Sequence, residues 1–261
     1  MSKKSKAIVI MNNEKINLSV AWAKAFLAAI KPNKTDLTPL VVMVTEFDRG
    51  RIIEDNIIRE LLDSSLKDNN KQSCHTVANT IFPISLWNPR RKRQFLYNRY
   101  MNIFPRLKKI DPKNNLGLYF ERLVAYSSAF PEGNQLEHII KTYKHRKGFR
   151  RSVLQTAIFD PKRDHTRNPY LKFPCLQHVT FAPCGDGGLA VNGFYAMQYL
   201  FERAYGNYLG LCRLGQFVAH ELKLELIQMN CTIGIAELDC GIAVVKNLIL
   251  GLEKRLQKLE Q

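Results

Sequence analysis

Lys172–Leu226 reads KFPCLQHVTFAPCGDGGLAVNGFYAMQYLFERAYGNYLGLCRLGQFVAHELKLEL, and the fold turns on how this stretch divides. Cys175 opens an alternating run, Leu176–Phe181, that predicts a strand. Pro183–Gly188 is a glycine-rich turn, and the apolar run from Gly193 to about Glu202 predicts the paired strand. Because a strand follows it, Cys184–Gly188 reads as a hairpin connection rather than a phosphate loop. Tyr208-Leu209-Gly210-Leu211 leads into a predicted helix, Leu211–Met229. A thiol on one strand, Arg203 on its partner and a helix behind both would form an anion-binding catalytic pocket.

Upstream, Ala7–Met11 and Leu40–Val44 are short strand candidates, and Leu18–Ile30 has helical spacing ended by Lys31-Pro32. Arg51–Leu66 predicts an amphipathic helix, Lys67–Ser73 a polar loop and Val77–Leu86 an extended segment. Asn88-Pro89-Arg90-Arg91-Lys92-Arg93 is the densest basic run. It precedes a predicted helix, Gln94–Leu107, whose Phe95, Tyr97, Tyr100 and Phe104 read as a core face backed by Arg99 and Arg106. Asp111–Asn115 is a turn-rich loop, and Leu116–Tyr126 fits a strand or a helix. Pro131–Asn134 is a turn, Gln135–Tyr143 a helix and Lys144–Arg151 a second basic loop. Ser152–Phe159 predicts a strand, Asp160–Pro169 a polar connection, Ile233–Ala236 a short strand or turn, and Gly241 onward a helix. With no repeat or interior linker, one α+β domain over residues 1–261 is expected.

Lysine and arginine number 39 against 23 acids, a formal net charge of +16, which favours anionic partners. The bland alternative is a basic, solvated surface. No apolar run approaches a membrane span, and Ala7–Met11 is too short for a signal peptide's core, so a cytoplasmic protein is expected. Six cysteines show no CxxC pair, which argues against a structural zinc site and a disulfide scaffold. Most are expected to be buried thiols. Cys231, Cys240, Glu237 and Asp239 match no metal template, and no metal is expected. His220 and Glu221, on a predicted helix, read as satisfied or solvated rather than as ligands.

Three pieces, in order, resemble thymidylate synthase and its relatives, the pyrimidine methylases and hydroxymethylases. Phe149-Arg150-Arg151-Ser152 looks like the family's arginine pair, which reaches across a homodimer interface to the neighbouring subunit's nucleotide phosphate. Pro174-Cys175-Leu176 with Thr180-Phe181 is similar to the Pro-Cys-His strand whose cysteine attacks C6 of the pyrimidine. Phe201-Glu202-Arg203-Ala204 through Tyr208-Leu209-Gly210-Leu211 looks like the Gln-Arg-Ser segment and the Leu-Gly-Leu that follows it. The match spans roughly residues 116 to 240.

The resemblance implies a thymidylate-synthase-like mixed sheet packed against helices, with a sheet face forming a homodimer interface. It implies Cys175 as nucleophile, Arg203, Arg150 and Arg151 on the phosphate of a nucleoside monophosphate, and 5,10-methylenetetrahydrofolate as a possible one-carbon donor. Glu202, Glu237 and Asp239 fall where the family contacts base or sugar. The departures are substantial: Leu176 replaces the histidine, Leu214 the base-reading asparagine, and the family's apolar closing tail has no counterpart. Leu214 cannot hydrogen-bond a base, so dUMP is not expected to be the natural ligand.

In this chemistry a thiolate adds to C6 of the pyrimidine and makes C5 nucleophilic. A thiol acts this way only when a positive field lowers its pKa, and arginines supply such a field while gripping phosphate in a bidentate manner. His178, three residues on along a strand, points away from Cys175 and is not its base. Two other readings stand beside the enzyme. One is a non-catalytic relative that keeps a phosphate pocket, with Cys175 an inert thiol. The other is a nucleic-acid-binding protein using Arg90–Arg93 and Lys144–Arg151.

Overall fold

The computed structural model describes residues 8–10, 15–30, 36–126, 133–167 and 173–261. Its strands are β1 (Ile8–Ile10), β2 (Asp36–Leu37), β3 (Leu40–Val44), β4 (Phe47–Asp48), β5 (Arg51–Ile52), β6 (Gln155–Ala157), β7 (Leu176–Pro183), β8 (Gly188–Tyr199) and β9 (Glu225–Glu237). Its helices are α1 (Leu18–Ile30), α2 (Asn56–Asp68), α3 (Cys74–Ile81), α4 (Arg93–Ile110), α5 (Tyr119–Val124), α6 (Gln135–His145), α7 (Pro161–Asp164), α8 (Tyr205–Leu222) and α9 (Lys246–Leu259). The molecule is a mixed α+β structure. Its sheet runs β1-β3-β9-β8-β7-β6, with β2 also on β9, while β4 and β5 form a separate hairpin. β8 and β9 are parallel, and α8 is the crossover between them.

Alternation along the strands divides the sheet into two faces. Val42, Val44, Val179, Val191, Tyr195, Met229, Cys231 and Ile233 are buried in the core that α1 and α8 complete. The opposite face carries Phe194, 43% exposed, and a polar row in which Asn230 donates to Asn192 and Asn192 to Thr180. α8 is buried along most of its length, and Gly206 and Gly210 let α3 lie against it. A methyl at Gly206 would stand 2.5 Å from Val77 Cβ and 2.8 Å from the Cys74 carbonyl, so the crossing admits no side chain there.

Several expected elements form with small changes of boundary. α1 occupies Leu18–Ile30, β3 Leu40–Val44, α6 begins at Gln135, and β7 and β8 form the expected hairpin. The predicted helix over Arg51–Leu66 begins only at Asn56, where Asp55 accepts the Ile58 amide; Arg51 and Ile52 belong to the β4–β5 hairpin. The ambiguous Leu116–Tyr126 segment contains the helix α5. Of Ser152–Phe159, only Gln155–Ala157 is strand, after a 3₁₀ turn at Arg151–Val153. The Asp160–Pro169 connection contains α7; residues 168 and 169, the turn residues 131 and 132, and 7 and 11 of the first strand candidate lie outside the described residues.

Three expectations fail. Val77–Leu86 is not extended: Ser73 accepts the Thr76 amide and starts α3, whose Val77, Ala78 and Ile81 are buried. The helix predicted over Leu211–Met229 begins six residues earlier and ends at Leu222, where Lys223 turns left-handed at φ 58°. From Glu225 the alternation ELIQMNCTIGIAE is strand β9, the sheet's longest strand and a paired partner of β2, β3 and β8. Finally, β8 stops at Tyr199, so Arg203 is not on the paired strand. It sits in a π-helical turn, Leu200–Ala204, between β8 and α8.

Candidate functional site

Cys175 immediately precedes β7, and its carbonyl accepts the Ala196 amide at 3.0 Å. That bond fixes it beside β8, whose far end leads into the turn carrying Arg203. The turn is held from two sides. Trp22 in α1 donates its indole N–H to the Leu200 carbonyl at 2.9 Å. The Asp239 carboxylate accepts the amides of Phe201 at 2.8 Å and Glu202 at 3.1 Å. π-helical turns recur at functional sites, where they re-aim a side chain. From this turn the charge of Arg203 lowers the pKa of the Cys175 thiol, against burial, which raises it.

Around this pair the chain assembles a polar wall. Arg203 donates to Gln72 Oε1 at 2.7 Å, and Glu202 forms an ion pair with Lys71. The Tyr119 ring stacks on Phe173 at 5.2 Å, and burial pushes its hydroxyl pKa up against the opposing pull of the Cys175 and Leu176 backbone. Sequence reasoning missed Tyr119, Lys71 and Gln72. Tyr119 lay in a segment whose periodicity was ambiguous, and the other two lay in a polar loop with no motif. Only the fold brings Lys71 and Gln72 to the Leu200–Ala204 turn and Tyr119 to the start of β7.

Arg122 organises the back of this wall. Its side chain is 1% exposed and donates to Asp164 at 2.7 and 3.1 Å and to the carbonyls of Ile158 and Leu116. Its guanidinium also lies 5.1 Å from the Phe173 ring centroid. One residue thus ties together the chain before Tyr119, the chain after β6 and the approach to Cys175.

Neither family models nor curated protein sequences match this chain.

The electrostatics of the thiol are a contest. Burial pushes the Cys175 thiol up, and Arg203 pulls it back only in part. Cys175 is therefore a protonated thiol at neutral pH in the isolated chain. Alkylation of Cys175 by iodoacetamide is expected to be slow at pH 7 and to rise about tenfold per pH unit through pH 9, following the thiolate fraction. Mass spectrometry of the modified peptide reads it, in a C184S background because Cys184 is exposed. Fast alkylation at pH 7 would contradict this balance of burial and charge.

The remaining predicted residues distribute as follows. Both oxygens of Asp239 hold the turn, and burial raises its pKa against the pull of those amides. Glu237 ends β9, paired in register with Tyr199 and Asp36. Leu214 is fully buried in the core. His178 sits on β7 opposite Phe194 and Ala157, and burial lowers its pKa. Arg150 and Arg151 follow α6; both are exposed, and Arg150 lines an open depression of ≈ 550 Å³ with His138, Arg146, Lys147 and Phe149. Within the chain, therefore, Arg203, Glu202 and Asp239 meet at one turn whose arginine acts on Cys175, while the arginine pair lies on the exposed chain after α6. Of the cysteines, 74, 212 and 231 are buried and 175 and 240 half-buried. Among the described residues there is no cluster of metal-ligand side chains, and no helix is long and apolar enough to cross a membrane.

Proposed function

We propose that the Cys175–Arg203 site binds the phosphate of a pyrimidine nucleoside monophosphate, in a divergent thymidylate-synthase-like homodimer. What supports the reading is a half-buried thiol whose pKa Arg203 lowers against burial, with that arginine carried on a turn that two separate contacts hold in place. Arg203 keeps a neutral partner, Gln72, and its carboxylate neighbour Glu202 is 4.0 Å away and engaged with Lys71. A phosphate can therefore take the guanidinium without breaking a close ion pair.

The homodimer part rests on the uncovered sheet face, where Phe194 is 43% exposed, an apolar side chain that a two-fold contact would bury. Arg150 and Arg151 then serve the neighbouring subunit and add the positive field that Arg203 alone does not provide. With the thiolate formed, sulfur can add to C6 of the ring and the electron pair moves to C5. Among the described residues, the surroundings of Cys175 and its turn include the Tyr119 hydroxyl, the Arg203 guanidinium and the Lys71–Glu202 ion pair. That set suits a phosphorylated ligand rather than the broad ring system of 5,10-methylenetetrahydrofolate.

Intact-mass analysis with a panel of pyrimidine monophosphates tests the catalytic part. A covalent adduct on the wild type and none on Cys175→Ala is expected if the thiol reacts. Ligand binding by both proteins with no adduct would assign the site to sensing, and binding by neither would remove the reading.

A further inference from the structure

The second basic feature of the molecule is separate from the thiol site. Residues 88–110 hold eight lysines and arginines and no acidic residue, and residues 138–151 hold six with none. Two shared carboxylates bring these segments together. Arg93 in α4 binds Glu137 in α6 through two nitrogens, at 2.6 and 2.8 Å. Arg93 and Lys144 also meet at one oxygen of Glu221, at 3.2 and 3.4 Å. The start of α4 and the loop after α6 are therefore neighbours. Arg90, Arg91, Lys92, Arg99, Arg146 and Lys147 have no carboxylate partner among the described residues.

An exposed ring lies on this surface. Tyr97, Tyr100 and Phe104 of α4 are buried as the sequence predicts, but Phe95 is turned outward and 37% exposed. The guanidinium carbons of Arg91 and Arg99 lie 4.3 and 5.6 Å from its centroid. Phe95 and Arg99, four apart, fall on one face of α4, and Arg91, just before the helix, is brought over the same ring, so the ring and its two cations form a stripe. The stripe runs from the amino end of α4, where cations oppose the helix dipole and an anionic partner would relieve them.

We propose that this stripe and the adjoining carboxyl end of α6 with its following loop bind single-stranded nucleic acid, with a base stacking on Phe95 and phosphates on Arg91, Lys92, Arg99, Arg146 and Lys147. Aromatic platforms set among cations are how single strands are held without sequence readout, because every base offers a ring face. An acidic protein would use the charges but not the ring. A duplex keeps its bases stacked inside and would likewise leave Phe95 unused.

Fluorescence anisotropy with labelled dT20, rU20, a 20-base-pair duplex and polyglutamate as competitor tests the proposal. Wild type is expected to bind at least one single strand, with an affinity that falls linearly on a log–log plot against salt; the tighter of dT20 and rU20 identifies the preferred sugar. Phe95→Ala is expected to weaken single-strand binding about 5- to 100-fold with the salt slope unchanged. Arg91→Gln with Arg146→Gln and Lys147→Gln is expected to reduce that slope by about 2. Arg203→Leu should leave it untouched, which separates this surface from the thiol site. Wild-type affinity in Phe95→Ala, equal affinity for duplex, or equal competition by polyglutamate would each overturn it.

Discussion

Asp164→Ala is expected to cost the fold about 3–5 kcal/mol, the range for stranding one partner of a buried ion pair. Its partner Arg122 is 1% exposed and sends two hydrogen bonds into that carboxylate. The Leu116 and Ile158 carbonyls that remain are neutral and cannot balance the charge, and Glu121 is 3.8 Å away and not hydrogen-bonded to it. The same carboxylate accepts the Asp160 amide at 2.7 Å, so a second buried donor is left open. Urea denaturation reads the loss as a lower midpoint at constant slope. Replacing both partners, with Arg122→Met added to Asp164→Ala, should recover part of the loss, because the stranded cation goes with it. A loss under about 1 kcal/mol in the single variant would mean that water reaches the guanidinium, and that Arg122 is not the buried tie between Leu116, Ile158 and Phe173.

Arg203→Leu is expected to do the reverse: little to the fold and much to the ligand. The arginine side chain is a third exposed, and its short hydrogen bond is to the neutral Gln72. Surface changes of that kind usually stay within about 0.5 kcal/mol. A charge-assisted bidentate grip on phosphate is worth about 3 kcal/mol, so affinity for a nucleoside monophosphate should fall about 100-fold. Calorimetric titration of both proteins gives the ratio. Equal affinities would place the phosphate elsewhere, with the basic surface around Arg146 and Arg150 the next candidate.

The contrast between these two arginines explains what was legible in the sequence. Arg203 and Cys175 stand in local patterns that can be read without a structure, and so do the strands on either side of the Cys184–Gly188 turn. Arg122 sits in a segment that fits strand or helix equally well, and its importance depends on Asp164, 42 residues away. β9 was hidden for a related reason: α8 is apolar nearly all round, so nothing in the apolar pattern marks where the helix stops. The stop is made by one residue, Lys223, in a backbone conformation that side-chain patterns do not announce. α3 was missed because its burial is decided by Gly206 and Gly210 on a helix far along the chain. Asp239 shows the limit for the site. Its place in the motif suggested a ligand contact, yet its carboxylate holds the turn that aims Arg203.

The claim on which the functional account rests is that Arg203 and Cys175 wall one phosphate-binding site. The most direct measurement is thermal unfolding of wild type and Arg203→Leu with increasing nucleoside monophosphate, beside the matching nucleoside without phosphate. The account predicts a concentration-dependent rise in Tm for wild type with at least one monophosphate, no rise with its nucleoside, and a rise lost in Arg203→Leu. A wild type that no monophosphate stabilises, or a shift that persists undiminished in the variant, would contradict it.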